Sequence, residues 1–484
     1  MKKYLPIFAL LFLSFFLLNT SWKDIEQKFN EKSKQLADKY EKHSRMLDEK
    51  FSKTLSEKWF EAKFKEPEKL FDEPKPADVP VAPVEKPVVP DNTPVVVVAV
   101  PAAAAVPAVV PEPAPIREEE DEFKVTFGFF GTIVEIVVPQ KVKSIKPVKM
   151  KNSAIAAYWQ QVSSLNHKNT LTRLHEYQTN FLVNDWAYLM FVQRVSKELY
   201  PEDGNLQNLY TWFLLIKTGY QARIGYDNER VYLLLPCTTQ LYSKTFFKFD
   251  NENFYRLSSM PDEGQMGSVF TYPGAYPEAN KRLELKVKQW PFLKEDMKKR
   301  NLSFNYGKDK YNLSVQYNQA LIDFVKDYPQ TTVDAYTRAP LSDSSQANMK
   351  KKLAVLLKGK KETEAVDILL AFVQKAFSYK TDEEQFGREK WFFPEETLFY
   401  PYSDCEDRSV IFAQLVTDLL GLKVVMLHYP QHMATAVLFN GEVSGDKVKY
   451  DGKSYVVCDP TYVNASHGEA MPAFRKVSPE VVEF

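Results

Sequence analysis

The sequence predicts a mixed α+β protein in which helices pack on antiparallel sheet. Three observations lead there. Helix-length apolar segments with few breakers, such as "DWAYLMFVQRVSKELYP" and "EAVDILLAFVQKAF", are followed by short strand-like runs such as "HMATAVLFNG". The runs come in pairs around turn signals, Asp227-Asn228 and Asp451-Gly452, which marks hairpins. Two of the helices end at a glycine that opens the next strand, Gly219 and Gly421.

The chain has 484 residues, which calls for two or three domains. Lys plus Arg and Asp plus Glu are 63 each. A neutral balance gives no support for a nucleic-acid partner, which would select a basic face. The first 21 residues, "MKKYLPIFALLFLSFFLLNTS", set two lysines before an apolar run. That pattern is an export signal or a retained anchor, with Asn19, Thr20 and Ser21 as weak cleavage candidates. It predicts a protein exported to the periplasm or cell envelope of a bacterium, anchored in the inner membrane if the segment is kept.

Residues 22–71 read as one amphipathic helix. Ile25, Phe29, Leu36, Tyr40, Leu47, Phe51 and Leu55 recur at three, four and seven residues between lysines and glutamates. Such a helix can lie on the body, on a membrane surface, or against another copy as a coiled coil. Residues 72–122 hold "EPKPADVPVAPVEKPVVPDNTPVVVVAVPAAAAVPAVVPEPAP", with twelve of the thirty prolines. Proline removes backbone donors and favours extended chain, so this stretch is expected to be a disordered, semi-rigid spacer. At about 3.1 Å per residue it would reach on the order of 100 Å.

The body divides into 123–260, a β-rich connecting region 261–340, and 341–484. Its first part opens with "FKVTFGFFGTIVEIVV" and turns helical. The connecting region shows "RLELKVKQW" and "YNLSVQY". A faint repeat joins the outer two parts. "FVQRV" at 191–195 resembles "FVQKA" at 372–376, and each precedes a helix, a glycine and a hairpin. Eleven residues past the glycine, Arg230 falls where His432 falls in the second copy.

The chemistry gathers in "YPYSDCEDRSVIFAQLVTDLLG", residues 400–421. Cys405, Cys237 and Cys458 are the three cysteines, with no CxxC or Cys/His cluster to hold zinc. A thiol becomes a nucleophile as a thiolate, which a helix N-terminus, a cation or a histidine favours. Ser403, Asp404 and Asp407 are helix-start residues, and Val410, Ile411, Leu415, Leu419 and Leu420 are expected to make a buried stripe. Arg408 can offset the acidic neighbours by pairing with Asp404 or Asp407. His432 opens a strand beside Ala434 and Ala436, which leave room for a helix end. His428 precedes a turn and reads as structural. Asp459, at a strand end before proline, can hold an imidazole in one tautomer. Cys458 should point to the opposite face, buried. Each reading has a bland rival: free cysteines are usually small buried hydrophobes, and Asp-Pro is an ordinary turn initiator.

The residues "SDCEDRSVIFAQLV", "LGLKVVMLHYPQHMATAV" and "YVVCDPTY", within 362–463, resemble the transglutaminase-like superfamily, rearranged relatives of papain. In that family the cysteine opens a helix, the histidine begins a strand and the aspartate sits on the next one. The resemblance implies catalysis by Cys405, His432 and Asp459, with acyl transfer from a peptide or protein substrate. Hydrolysis is the expected outcome, and cross-linking to an amine the other one. The Cys405 N–H would serve the oxyanion, with Trp391 or Tyr402 as candidates for a second donor. No metal or organic cofactor is implied. Residues 123–260 would be a degenerate copy without the cysteine loop. The family also contains inactive members, so a non-catalytic envelope scaffold or binding protein is the competing class.

Overall fold

The computed structural model describes residues 22–69, 79–83, 91–96, 121–147, 149–227, 229–258 and 267–484. The expected export segment lies outside them. Among the described residues no helix is long and apolar enough to cross a membrane.

Helix α1 (Trp22–Ser56) contains neither glycine nor proline. Its inner end is held by the apolar stripe: Leu47, Phe51 and Leu55 are buried. The Phe51 ring lies 4.8 Å from Trp159 and 5.4 Å from Tyr276, both edge-on. Its outer half leaves Phe29, Leu36 and Tyr40 at 54%, 60% and 69% exposure. The helix ends at Ser56, well short of residue 71. Phe60 and Phe64 continue with the two-residue period of a strand, packing on Phe249 and Phe247. They belong to β1 (Phe60–Lys63) and its continuation, which pair with the first sheet. Among the described residues there is no coiled coil, and the inner end of the stripe docks on α2 (Asn152–Ser163) of the body.

Two halves of the body share one connectivity. The first begins with the hairpin β2 (Glu122–Phe129) and β3 (Thr132–Pro139). Helices α2, α3 (Lys168–Tyr177), α4 (Asp185–Leu199) and α5 (Gly204–Lys217) follow. Then come β4 (Arg223–Tyr226), β5 (Val231–Pro236), β6 (Phe246–Phe249), β7 (Glu252–Arg256) and β8 (Ser268–Thr271). The second begins with the hairpin β9 (Met297–Tyr306) and β10 (Asp309–Asn318). It continues through α6 (Gln319–Val325), α7 (Asp334–Thr337), α8 (Asp343–Leu357) and α9 (Glu362–Ala376). An added stretch holds β11 (Ser378–Tyr379), α10 (Asp382–Phe386), α11 (Pro394–Phe399) and β12 (Tyr402–Ser403). Then α12 (Cys405–Leu420) leads to β13 (Lys423–Tyr429), β14 (His432–Leu438), β15 (Lys447–Tyr450), β16 (Lys453–Cys458) and β17 (Glu480–Glu483).

The first sheet runs β1-β8-β4-β5-β7-β6 and the second β17-β13-β14-β16-β15. With β1 set aside, the two orders correspond strand for strand. Both helices that precede the sheets have an aspartate N-cap, Asp203 and Asp404. Both are followed by a left-handed glycine, Gly219 at φ +93° and Gly421 at φ +67°, the conformation a helix stop requires. The β6–β7 and β15–β16 turns each place two residues at positive φ, Asp250-Asn251 and Asp451-Gly452, as tight hairpins demand. The repeated "FVQ" has one structural role in both copies. Gln193 Nε2 donates to the Leu257 carbonyl (2.7 Å) and Gln374 Nε2 to the Asp459 carbonyl (3.0 Å), each just past the corresponding strand of its sheet, β7 or β16.

The stretch 261–340 is not a separate β-rich region. Strand β8 completes the first sheet, and β9–β10 opens the second half, with Phe304 packed on Phe372 of α9 at 5.4 Å. Between them "RLELKVKQW" buries Leu283, Leu285 and Val287 but pairs only through a bridge from Leu283 to Cys237. Its alternation reports burial on one side, not a strand ladder.

The proline-rich stretch is not a free spacer over its described parts. Residues 79–83 and 91–96 lie on the second half. Ala82 N–H donates to the Val463 carbonyl (2.7 Å), and Val463 N–H to the Pro80 carbonyl (2.9 Å). Val96 N–H donates to the Lys360 carbonyl (2.8 Å), and Glu362 N–H to the Pro94 carbonyl (3.0 Å). Proline lacks a donor but keeps its carbonyl. Here prolines accept, and the residues between them donate. Asp91 adds side-chain hydrogen bonds to Thr93 and Thr363.

Candidate active site

Cys405 is the first residue of α12. Asp404 caps the helix, and the Asp407 carboxylate accepts the Asp404 N–H (3.3 Å) and the Phe392 N–H (3.0 Å). This fixes the helix start against the 390–393 segment. One turn on, Ser409 Oγ donates to the Met433 carbonyl (3.1 Å). That bond joins the first turns of α12 to the start of β14, where His432 is the first residue.

His432 Nε2 lies 2.9 Å from Asp459 Oδ2. A carboxylate at Nε2 favours the Nε2–H tautomer. The other carboxylate oxygen of Asp459 accepts the N–H groups of Thr461 (2.9 Å) and Tyr462 (3.1 Å). The imidazole also stacks on Phe474, 5.0 Å between centroids and 11° between planes. Cys405, His432 and Asp459 are 1%, 4% and 2% exposed.

The thiol's surroundings are acidic. Cys405 Sγ donates to Glu406 Oε2 at 3.1 Å. Asp382, Asp404 and Asp407 have carboxylate oxygens within 4.8 Å of one another, as do Asp382, Glu389 and Glu406. These groups are committed in part to backbone donors, including Lys390 N–H on Asp382 (2.8 Å). Arg408 is the counter-charge. Its Nε donates to Ser403 Oγ (3.3 Å) and its Nη2 to the Phe377 carbonyl (2.8 Å), while Asp404 and Asp407 act on it through their charge. Burial pulls its pKa down to about 10, while Tyr379, Asp404, Cys405 and Asp407 hold it up.

Strand alternation separates two groups of side chains. Met433 and Val437 pack in the same core as Cys405, whereas Ala434 and Ala436 pack in the cluster of Tyr429 and Phe474. His432, on the rings of Phe474 and Tyr429, belongs to the second group. Cys458 is fully buried on the α12 side, and burial pushes its thiol well up, with Asp367 and Asp459 adding to it. His428 sits 3.6 Å from Glu480 on the β17 edge.

No protein-family model, curated protein or solved structure matches the chain.

The two residues expected to supply a second oxyanion donor differ in their surroundings. Trp391 N–H donates to Gln330 Oε1 (2.7 Å), which takes up that donor. Tyr402 is 39% exposed, with Lys380 over its ring at 5.5 Å. The residue at the histidine's register position in the first half is Val231, not Arg230. Val231 pairs with Tyr226 as His432 pairs with Tyr429, and a longer loop after a shorter strand leaves the offset of one residue. Of three neighbours of the site, one carried a sequence signal. Gln374 was visible in the repeated "FVQ", whereas Phe474 and Tyr462 sit in irregular chain with no periodicity to mark them.

Proposed function

We propose that the protein is a cysteine-dependent acyl-transfer enzyme of transglutaminase-like type that hydrolyses a peptide or amide bond, acting outside the cytoplasm. The buried hydrogen bond between His432 and Asp459 supports this most directly. It sits on the strand that Ser409 ties to the Cys405 helix. In this reading the thiol turns from Glu406 and passes its proton to His432 Nδ1. The sulfur attacks the carbonyl, and His432 returns the proton to the leaving amine. Water then cleaves the acyl-enzyme, with His432 as its base. The Cys405 N–H at the helix start would meet the oxyanion.

A second reading, a non-catalytic scaffold on the same fold, rests on its own observations. The thiol donates to Glu406, and His432 packs with the residues on the opposite side of the strand from Met433. Iodoacetamide alkylation decides between them. The enzyme reading expects Cys405 to react near neutral pH at least tenfold faster than an unactivated thiol, and to lose that advantage in His432→Ala. Slow alkylation unchanged in His432→Ala selects the scaffold.

A further inference from the structure

The docked segment 79–83 adjoins the His432–Asp459 pair. Asp459 accepts the N–H of Tyr462, and the next residue, Val463, exchanges two backbone hydrogen bonds with Pro80 and Ala82. The segment alternates as a strand does. Val81 points out at 62% exposure, and Ala82 points in at 5%. Ala82 packs among Tyr462, Ala465 and Met471, with Phe474 closing the cluster. Phe474 is the ring stacked on His432. Gln374 pins this wall from α9, donating to the carbonyls of Asp459 and Ala465 and accepting the Asn464 N–H (3.2 Å). A firm backbone edge beside a small-residue pocket is how proteins hold an extended peptide: main-chain bonds give affinity, and alternate side chains give selectivity.

We propose that residues 462–474 form a subsite for an extended peptide carrying a small side chain next to proline, and that Pro80–Ala82 occupies it in the closed chain. Resting on the acyl-transfer reading, this makes such a peptide the substrate class and the proline-rich segment its built-in competitor. A pocket filled from within lowers apparent affinity by the fraction of open chains. Freeing it should therefore raise affinity for added peptide.

The test uses the full chain and a fluorescein-labelled peptide with the sequence of residues 78–85, read by anisotropy. Ala82→Arg cannot enter the pocket, and Ala82→Pro removes the N–H given to Val463 and adds a ring at the buried position. Both variants should bind the peptide at least tenfold tighter than the parent chain, and adding Ala465→Phe should abolish the gain. Equal binding to parent and both variants, or binding to none, overturns the proposal. Tenfold tighter binding with His432-independent alkylation of Cys405 would keep the subsite and remove the acyl-transfer reading. The reverse pattern would keep the enzyme and remove the subsite.

Discussion

Val231 and His432 hold one register position in two sheets of the same strand order. Each opens the strand after a hairpin and faces the tyrosine that ends the strand before, Tyr226 or Tyr429. Three residues on, Leu234 faces Arg256 as Thr435 faces Cys458, so Leu257 stands where Asp459 does. Gly204 begins α5 as Cys405 begins α12. The first half keeps the supporting positions and carries no thiol, imidazole or carboxylate at the other three.

Asp459 should matter twice. Replacing it with alanine strips the acceptor from His432, Thr461 and Tyr462, and unmet buried donors cost about 1–3 kcal/mol each at most. Asp459→Ala is therefore expected to lower stability in urea by about 2–4 kcal/mol. Asp459→Asn keeps an acceptor oxygen and should lose less. Both should lose the His432-dependent alkylation of Cys405. Equal stability of the two variants would mean that the carboxylate does not hold the 461–462 turn.

The cysteines should separate by reactivity. Burial, with Asp185 and Glu284, raises the Cys237 thiol, and burial raises the Cys458 thiol. Limited iodoacetamide followed by peptide mapping should label Cys405 first. Labelling of Cys237 ahead of it would argue against an activated thiol at 405.

Acid should find His167. It is buried against Phe213, and desolvation pulls its pKa from 6.5 to about 4. Above pH 6.5 the ring is neutral in both states and contributes nothing. As pH falls from 6.5 to 4 the unfolded chain takes up the proton first, so stability is lost. The loss approaches about 3 kcal/mol at the low end. His167→Gln should flatten this limb of the stability–pH curve. An unchanged limb would assign the acid sensitivity to other groups.

Phe51 anchors α1. Its ring meets Trp159, Trp212, Tyr272 and Tyr276. Phe51→Ala should cost about 3–5 kcal/mol and expose the 47–55 backbone to hydrogen exchange. A loss under 1 kcal/mol would mean that α1 rests on the body without being packed into it.

The α+β class and most helices and hairpins were legible because their signals are local. Asp404 before an apolar stripe and Gly421 after it mark α12, and Asp451-Gly452 marks a tight turn. Asp459 was legible as a strand-end carboxylate, and the structure sets it on His432. The docking of residues 79–83 was not, because proline content reports missing donors and is silent on carbonyls that a distant edge can use. The end of α1 was missed for a related reason. Phe60 and Phe64 fit a helical spacing as well as a strand, and only the aromatic face of β6–β7 decides between them. The Trp391 N–H was lost to Gln330, a partner sixty-one residues away that no spacing rule reaches.

The bridge from Val81 to Val463 also sets an order of events during synthesis. Residues 79–83 leave the ribosome long before residues 462–474 do. Until Lys360 and then Val463 emerge, the segment has nothing to pair with. Closure can therefore happen only once residues 462–474 have been made, and a product truncated before that wall would carry residues 79–83 undocked.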